Sequence, residues 1–483
     1  MMHGFWAGMC PSVSADGDKS RRKLVVGVVV ALVSAWSLDL RAETMSGALA
    51  LAYQGNPDLN QQRAGVRAAD ETIPQATSVF RPQITASGSY GYSYLEVRTS
   101  PNVPTLGAGS SSLFTTSAGV VGLTVSQTLF NGFRNTNGVR QAESNVLSAR
   151  EQLRLGEETI LLSAATAYMN VLRDTAILDL RRNNIIVLEE QLRQTRDRFT
   201  VGEVTVTDVA QADASLASAR SDYFAAQANL ATSIANYRQI IGVQPGRLEP
   251  ARTIEALLPH NVQAAVGVTL SEHPAIQAAL HAVDAAELQV KIQEGQFYPT
   301  LSAVGQVTDN YAFDGEPGIK AFNATILAQI SVPIYTGGLV DAQVRQAKEQ
   351  LTQARIQADL QRDTARAQTV SAWGVLEAAR AAIRSNESAV KAAEVALAGI
   401  REEAKVGQRT TFDVLTAQQT LLNARVSLVT AQRDRVVASY NVMASIGRLT
   451  AANLNLNIIE YDPTVHYDAV KNKWFGVRTP DGR

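Results

Sequence analysis

The sequence predicts an α+β membrane protein: each chain contributes four β-strands to a barrel completed by other copies, and carries very long antiparallel coiled-coil helices. Three observations predict it. The body of the chain is written twice, each half holds period-two stretches, and each half holds an unbroken heptad run that ends at a tight turn.

Ahead of the duplicated body, Arg21, Arg22 and Lys23 precede an apolar run from Leu24 to Trp36, with the small Ala42 beyond it. This is the order of a secretory signal peptide, expected to occupy 1–42 and to be cleaved, with a start codon downstream of Met1 as part of the same reading. The alternative is a signal anchor, but the run falls short of the ~20 residues a spanning helix needs. The only cysteine, Cys10, lies before the apolar run, whereas lipidation requires one just after it. A mature chain without cysteine has no disulfide, thiolate metal site or thiol nucleophile. The net charge of −1 supplies no bulk attraction to nucleic acid or anionic lipid. No other stretch resembles a transmembrane helix, so membrane insertion would require a β-barrel.

The duplication is read residue by residue. Asn56-Pro57 through Gly88 aligns without gaps to His273-Pro274 through Gly305, and Phe80-Arg81-Pro82 falls on Phe297-Tyr298-Pro299. After a loop the offset shortens, then holds from Leu129 on Ile334 to Gly242 on Gly447. Inside that block Val139-Arg140-Gln141-Ala142 matches Val344-Arg345-Gln346-Ala347, and Asp208-Val209 matches Asp413-Val414. So long a match without insertion indicates rigid elements of fixed length, with the one length change in a loop, where insertions are tolerated.

In Ile84 to Tyr94, apolar or aromatic residues alternate with Thr85, Ser87, Ser89 and Ser93; from Phe322 to Ile334 they alternate with Asn323, Thr325, Gln329 and Ser331. Val121, Leu123, Val125 and Leu129 repeat the pattern, and Leu301, Ala303 and Val307 do so more weakly. One face then suits lipid and the other water, as in a transmembrane barrel, although an ordinary half-buried sheet shows the same alternation. The helices decide the architecture. Between Arg134 and Phe199 there is no proline, and the only glycines are Gly138 and Gly156, so the segment runs as one helix of about 100 Å. Val139, Val146, Leu153, Ile160 and Ala167 form a heptad seam that shifts by one stutter to Val171, Leu178, Ile185, Leu192 and Phe199. The second half repeats it from Val344 to Ala404, and the return helices carry Val209, Leu216 and Val414, Leu421 beside the small Ala212, Ala219 and Ala417, Ala424. Such helices cannot fold into a compact globule, and four strands cannot close a barrel, which needs at least ~8. Oligomerisation is therefore forced. Three copies are favoured over two, because about twelve strands begin to leave a lumen that eight do not.

With its repeated strand-to-helix junctions Leu129-Phe130-Asn131-Gly132 and Ile334-Tyr335-Thr336-Gly337, and its paired turns Val201 to Val209 and Val406 to Val414, the sequence resembles the TolC family of outer-membrane efflux and type I secretion ducts. The resemblance covers about Glu43 to Gly476, and the tail from Tyr461-Asp462-Pro463 to Trp474-Phe475-Gly476 is similar to the type I secretion branch. It implies a homotrimer with a twelve-stranded β-barrel in the outer membrane and an α-barrel in the periplasm. It implies as partners outer-membrane lipid, a periplasmic adaptor (membrane-fusion) protein and an inner-membrane ABC or RND transporter that supplies the energy. The expected function is passive export of proteins, small molecules or both, without enzymatic chemistry, cofactor or nucleic acid. The competing reading is a secreted coiled-coil scaffold of the cell envelope, which would need no lipid-facing belt.

The chain then divides into 1–42, a first repeat at 43–268, a second repeat at 269–447 and a C-terminal equatorial segment and tail at 448–483. The first repeat is expected to hold strands at 83–97 and 117–129, a long helix at 133–199, a return helix at 205–240 and an equatorial segment at 241–268. The second is expected to hold strands at 300–311 and 322–334, a long helix at 338–404 and a return helix at 410–446. Thr99 to Thr116, rich in Pro, Gly and Ser, is expected to be an external loop. Tyr90, Tyr92 and Tyr94 suit an aromatic girdle, or equally the core or barrel lining.

The two tips carry the candidate site. Gly202 and Gly407 are expected to end the outgoing helices in left-handed caps, and Thr205-x-x-Asp208 and Thr410-x-x-Asp413 to start the return helices as capping boxes. Asp208 and Asp413 either only cap, or also place six carboxylates per trimer where a tunnel narrows, favouring cations. The resemblance matches Asp413 to an acid of the family's constriction and puts Thr416 where a second acid is common. It also implies polar links between Arg409 and Thr207-Asp208 that hold the tip closed, with Ala404 in place of an aromatic partner; Arg409 is otherwise a solvated charge. Val201-Gly202 and Val406-Gly407 are expected to dock the adaptor, or to be turn residues alone. His273 and His281 have no third metal ligand in view, and no nucleophile elbow, zinc-protease, phosphate-loop or dinucleotide motif is present.

Overall fold

The computed structural model describes residues 43–98, 111–311 and 320–482. The expected signal peptide at 1–42, with Cys10, lies outside the described residues, as does the 99–110 part of the expected external loop.

The first half runs α1 (Met45–Gly55), α2 (Pro57–Asp70), α3 (Thr72–Thr77), β1 (Gln83–Arg98), β2 (Ser111–Phe130), α4 (Arg134–Thr200) and α5 (Val206–Ile241). The second runs α6 (Val262–Glu272), α7 (Pro274–Glu294), β3 (Thr300–Tyr311), β4 (Lys320–Ser331), α8 (Leu339–Lys405) and α9 (Thr411–Ser445), followed by α10 (Pro463–Val470). The halves use the same local devices. Asn56 caps α2 ahead of Pro57, and His273 caps α7 ahead of Pro274, its Nδ1 accepting from the Ala275 amide at 3.2 Å. A side-chain acceptor followed by proline, whose missing N–H costs nothing in the first turn, starts a helix sharply. Buried His273 is thus a structural cap, and burial pulls its imidazole below the usual range.

α4 and α8 are each 67 residues long, about 100 Å at 1.5 Å per residue. Along α4 the seam residues Val146, Leu153, Ile160, Ala167, Val171 and Leu192 are buried, whereas Leu178 and Ile185 are half-buried and Phe199 is exposed. Toward the tip α4 has chiefly α5 beside it, so part of the seam stays open. Ala212, Ala219 and Ala226 of α5 are buried, and their small side chains let the antiparallel helices approach. The main core is a belt near mid-height: α1, the middle of α4, and the ends of α5 and α9 converge on Leu49, Leu161, Tyr168, Tyr237 and Ile446. There Tyr168 donates its hydroxyl to the carbonyls of Glu43 (2.8 Å) and Glu249 (2.7 Å), and Tyr237 donates to the Glu43 carboxylate (2.5 Å), tying down the start of the described chain.

The sheet is four-stranded and antiparallel in the order β1-β2-β3-β4, and among the described residues both edges are unpaired. Its register aligns the four alternations in one phase: Ile84 lies opposite Val125, Leu123 opposite Val307, and Gly305 opposite Ile326. Residues directly opposite in an antiparallel pair share a face, so the apolar residues of all four strands gather on one face, with Asp309 among them between Val121 and Phe322. Among the described residues no α-helix packs across either face. Among the described residues no helix is long and apolar enough to cross a membrane. β2 begins at Ser111 rather than 117, so the end of the expected loop is strand. β4 ends at Ser331 rather than 334, because Pro333 lacks the N–H that a ladder needs.

Strand hands over to helix at Gly132, with φ +69°, and at Gly337, with φ +65°. A Cβ on Gly132 would lie 2.2 Å from the Gly295 carbonyl oxygen and 2.8 Å from Tyr298 Cβ, whereas one on Gly337 meets nothing within 4 Å. Gly132→Ala is therefore expected to cost about 2–4 kcal/mol, combining left-handed strain with overpacking, and Gly337→Ala about 1 kcal/mol. Denaturation midpoints of the two purified variants check this; equal losses would contradict it.

Candidate functional site

The far ends of the two helical hairpins are built alike. Gly202 (φ +79°) and Gly407 (φ +80°) take the left-handed conformation that ends α4 and α8. The Glu203 amide donates to the Arg198 carbonyl at 3.0 Å, and the Gln408 amide to the Glu403 carbonyl at 2.9 Å, so each helix closes as a Schellman turn. The return helices begin with complete capping boxes. Asp208 Oδ2 accepts from the Thr205 amide at 2.9 Å and hydroxyl at 2.7 Å, while the Asp208 amide donates to Thr205 Oγ1 at 3.3 Å. Asp413 repeats this with Thr410 at 2.9, 2.9 and 3.2 Å.

These bonds stabilise the ionised carboxylates. The Thr205 hydroxyl and amide hold Asp208 below the usual carboxylate range, and the Thr410 amide and hydroxyl, with the charge of Arg409, do the same for Asp413. Capping and fixed charge are thus compatible: the geometry that caps the helix also keeps the acid ionised in mild acid.

Each tip carries an ion pair that spans its turn, with its polarity exchanged. In the first hairpin Arg198 on the helix donates Nε to Glu203 in the turn at 3.0 Å; in the second, Arg409 in the turn donates Nε to Glu403 on the helix at 2.9 Å. Arg409 is therefore paired within its own hairpin, while Thr207 and Asp208 stand on the other one. Glu203 and Glu403 were not candidates from sequence. The signal that finds them is opposite charge five or six residues apart across a Gly-containing turn. Being exposed to solvent, each pair is weak.

The two hairpins touch near the tip. Leu415 of α9 packs with Leu188, Leu192, Ala212, Leu216 and Ala219 of the first hairpin. Beside this contact, exposed Thr416 borders a cleft of about 240 Å³ with Phe412, Asn184 and Ser215. Val201 and Val406, one residue before each glycine, are exposed apolar side chains at the extreme end. The site therefore offers exposed apolar turns, fixed carboxylates and weak ion pairs. Among the described residues no group of three His, Cys, Asp or Glu is placed to hold a metal.

The profile of the outer membrane efflux protein family matches residues 48–243 and 265–448, one block for each half. The chain belongs to that family. It is 43% identical over 442 residues to the outer membrane efflux protein BepC of Brucella suis biovar 1 (strain 1330), covering 92% of this chain and 93% of BepC. It is 25% identical over 447 residues to the outer membrane protein TolC of Escherichia coli (strain K12), covering 90% and 88%. The solved Campylobacter jejuni CmeC outer membrane channel shares its fold, with a TM-score of 0.73, 18% identity and 91% of each chain covered. As a member of this family the protein is an export channel of the outer membrane, of the TolC kind, and not an envelope scaffold. The family is one of transport channels rather than enzymes. The uncovered apolar face of the sheet is the surface such a location demands.

Proposed function

We propose that three copies close their sheets into one twelve-stranded barrel and their helices into one periplasmic α-barrel, forming a continuous passive tunnel. The observation that carries this reading is the sheet itself: four strands, two edges unpaired among the described residues and one largely apolar face. Unpaired edges in a membrane leave backbone groups without partners, and closure with about eight more strands satisfies them and leaves a lumen. The tunnel exports proteins, small molecules or both, and draws its energy from an inner-membrane ABC or RND transporter coupled through a periplasmic adaptor. The adaptor docks on the turns at Val201-Gly202 and Val406-Gly407, whose apolar tips stand free.

In this assembly Asp413, with Asp208 nearby, rings the narrow end, and Thr416 lies one turn further along α9. Arg409 and Thr207-Asp208 link neighbouring hairpins in the closed state, and Arg409 falls back on Glu403 when the tips part. The test is chemical. A mature chain lacks cysteine, so Asp413→Cys places one thiol per copy at the narrow end. A short bis-maleimide is expected to join two of these thiols into a covalent dimer on a denaturing gel in outer-membrane preparations. A product that stays monomeric would place Asp413 away from the axis.

A further inference from the structure

Beyond α10 the chain returns to the foot of the sheet. Arg81, which lies between the short turn at 78–80 and β1, donates Nη1 to the Lys473 carbonyl at 2.7 Å, and its guanidinium sits 4.6 Å from the centre of the Trp474 ring. The next residues form a small loop. Gly476 turns the backbone at φ +107°, and the Lys473 ammonium donates back to the Arg478 carbonyl. The loop presents its apolar side chains outward: Trp474 is 67% exposed, Phe475 91% and Val477 101%. Three such side chains on one short loop are a poor surface for water.

The place where they stand gives them an occupant. All four strands end on this edge, where Gln83 pairs with Ser126, Phe130 with Leu301, and Thr300 with Ser331. The segments entering and leaving that edge carry exposed Phe80, Phe133, Phe297, Tyr298 and Tyr335. This is the level at which the lipid-facing sheet gives way to helices in water. Aromatic rings with a polar handle concentrate at that boundary, and flanking Lys and Arg reach phosphate head groups. The tail brings a Trp-Phe pair to this row from the far end of the sequence, with Lys473 and Arg478 on either side.

We propose that the loop Lys473–Arg478 is an interfacial anchor that inserts Trp474 and Phe475 into the periplasm-facing phospholipid leaflet beside the barrel, with its two cations at the lipid phosphates. Arg81 is the bracket that holds the anchor at this height. The tail thus ties the equatorial belt, through α10, to the membrane surface, and limits how far the helical part can tilt under the barrel.

The four tryptophans of the chain make this testable. With Trp6, Trp36 and Trp373 changed to Phe, Trp474 is the sole indole; subtracting the spectrum of Trp474→Phe from that of the unmodified protein isolates the same signal without altering the core. In phosphatidylcholine vesicles the expected emission is blue-shifted, quenched by lipid brominated near its carbonyl end and protected from aqueous acrylamide. Arg81→Ala is expected to weaken the lipid quenching. Emission that acrylamide quenches and brominated lipid does not would overturn the proposal. So would emission protected from both, which would place the loop against a neighbouring chain. Ion conductance of the same vesicles reports barrel insertion separately, so a failed anchor is distinguishable from a failed barrel.

Discussion

Ile326→Lys is expected to remove the protein from the outer membrane, whereas Thr325→Lys, one residue away, leaves it there. Ile326 stands near the middle of β4 and is 92% exposed on the apolar face, opposite Gly305. Thr325 points to the other face, where its hydroxyl donates to Asn323 at 2.8 Å. A lysine facing lipid at the bilayer midplane costs about 2–4 kcal/mol, and the proposed trimer would carry that cost in each copy. A lysine on the opposite face remains in water. The measurement is the amount of each variant in the outer-membrane fraction beside the unmodified protein. Equal loss in both variants would mean that this face is not what lipid covers.

Glu158→Gln is expected to stabilise the protein at pH 8 and to do little at pH 5. Glu158 lies in the middle of α4, only 2% exposed, and neither carboxylate oxygen has a hydrogen-bond partner among the described residues. Burial pushes its carboxyl up to about 9, against the attraction of Arg154 and with further repulsion from Glu157 and Glu151. The side chain is therefore protonated and neutral at pH 7. For an acid whose folded pKa is raised, the folded state holds its proton while the unfolded state releases it above about 4.5. Stability is full below that value and is lost as pH rises toward 9. At about 1.4 kcal/mol per unit, the loss by pH 8 is on the order of 5 kcal/mol. Glutamine keeps the volume and has no proton to release, so this slope disappears. Denaturation midpoints of both proteins at the two pH values decide it; a shift of the same size at both would show that the charge of Glu158 is not the cause.

Much of the architecture was legible because its signals are periodic or local. The heptad from Val146 to Val171 needs no knowledge of the partner helix to be read, and its residues are buried in α4. The capping boxes Thr205/Asp208 and Thr410/Asp413 are legible for the same reason, since both partners lie within one turn. The strands show where such reading stops. Ser111 and Ser112 carry no alternation, yet they lie in β2, because Arg98 and Val97 of β1 supply the partners. That pairing is set by the opposite strand, not by the residues themselves. Glu158 is a further case: nothing local distinguishes it from a solvated side chain, and only the packing of α4 makes it a buried acid. At the tip, Arg409 was legible as a charge in a turn, but its partner Glu403 lies across the glycine and emerges only once the turn closes.

Single-channel recording of the purified protein in planar bilayers, comparing the unmodified chain with Asp413→Ala, reads the duct and its constriction together. A stable cation-selective current is expected, retained as the bath is acidified from neutral to about pH 4, because their hydrogen bonds keep Asp413 and Asp208 ionised below the ordinary carboxylate range. Asp413→Ala is expected to reduce that selectivity while leaving conduction intact. A pore indifferent to the change would return Asp413 to helix capping alone, and a well-folded protein that never conducts would contradict the tunnel itself.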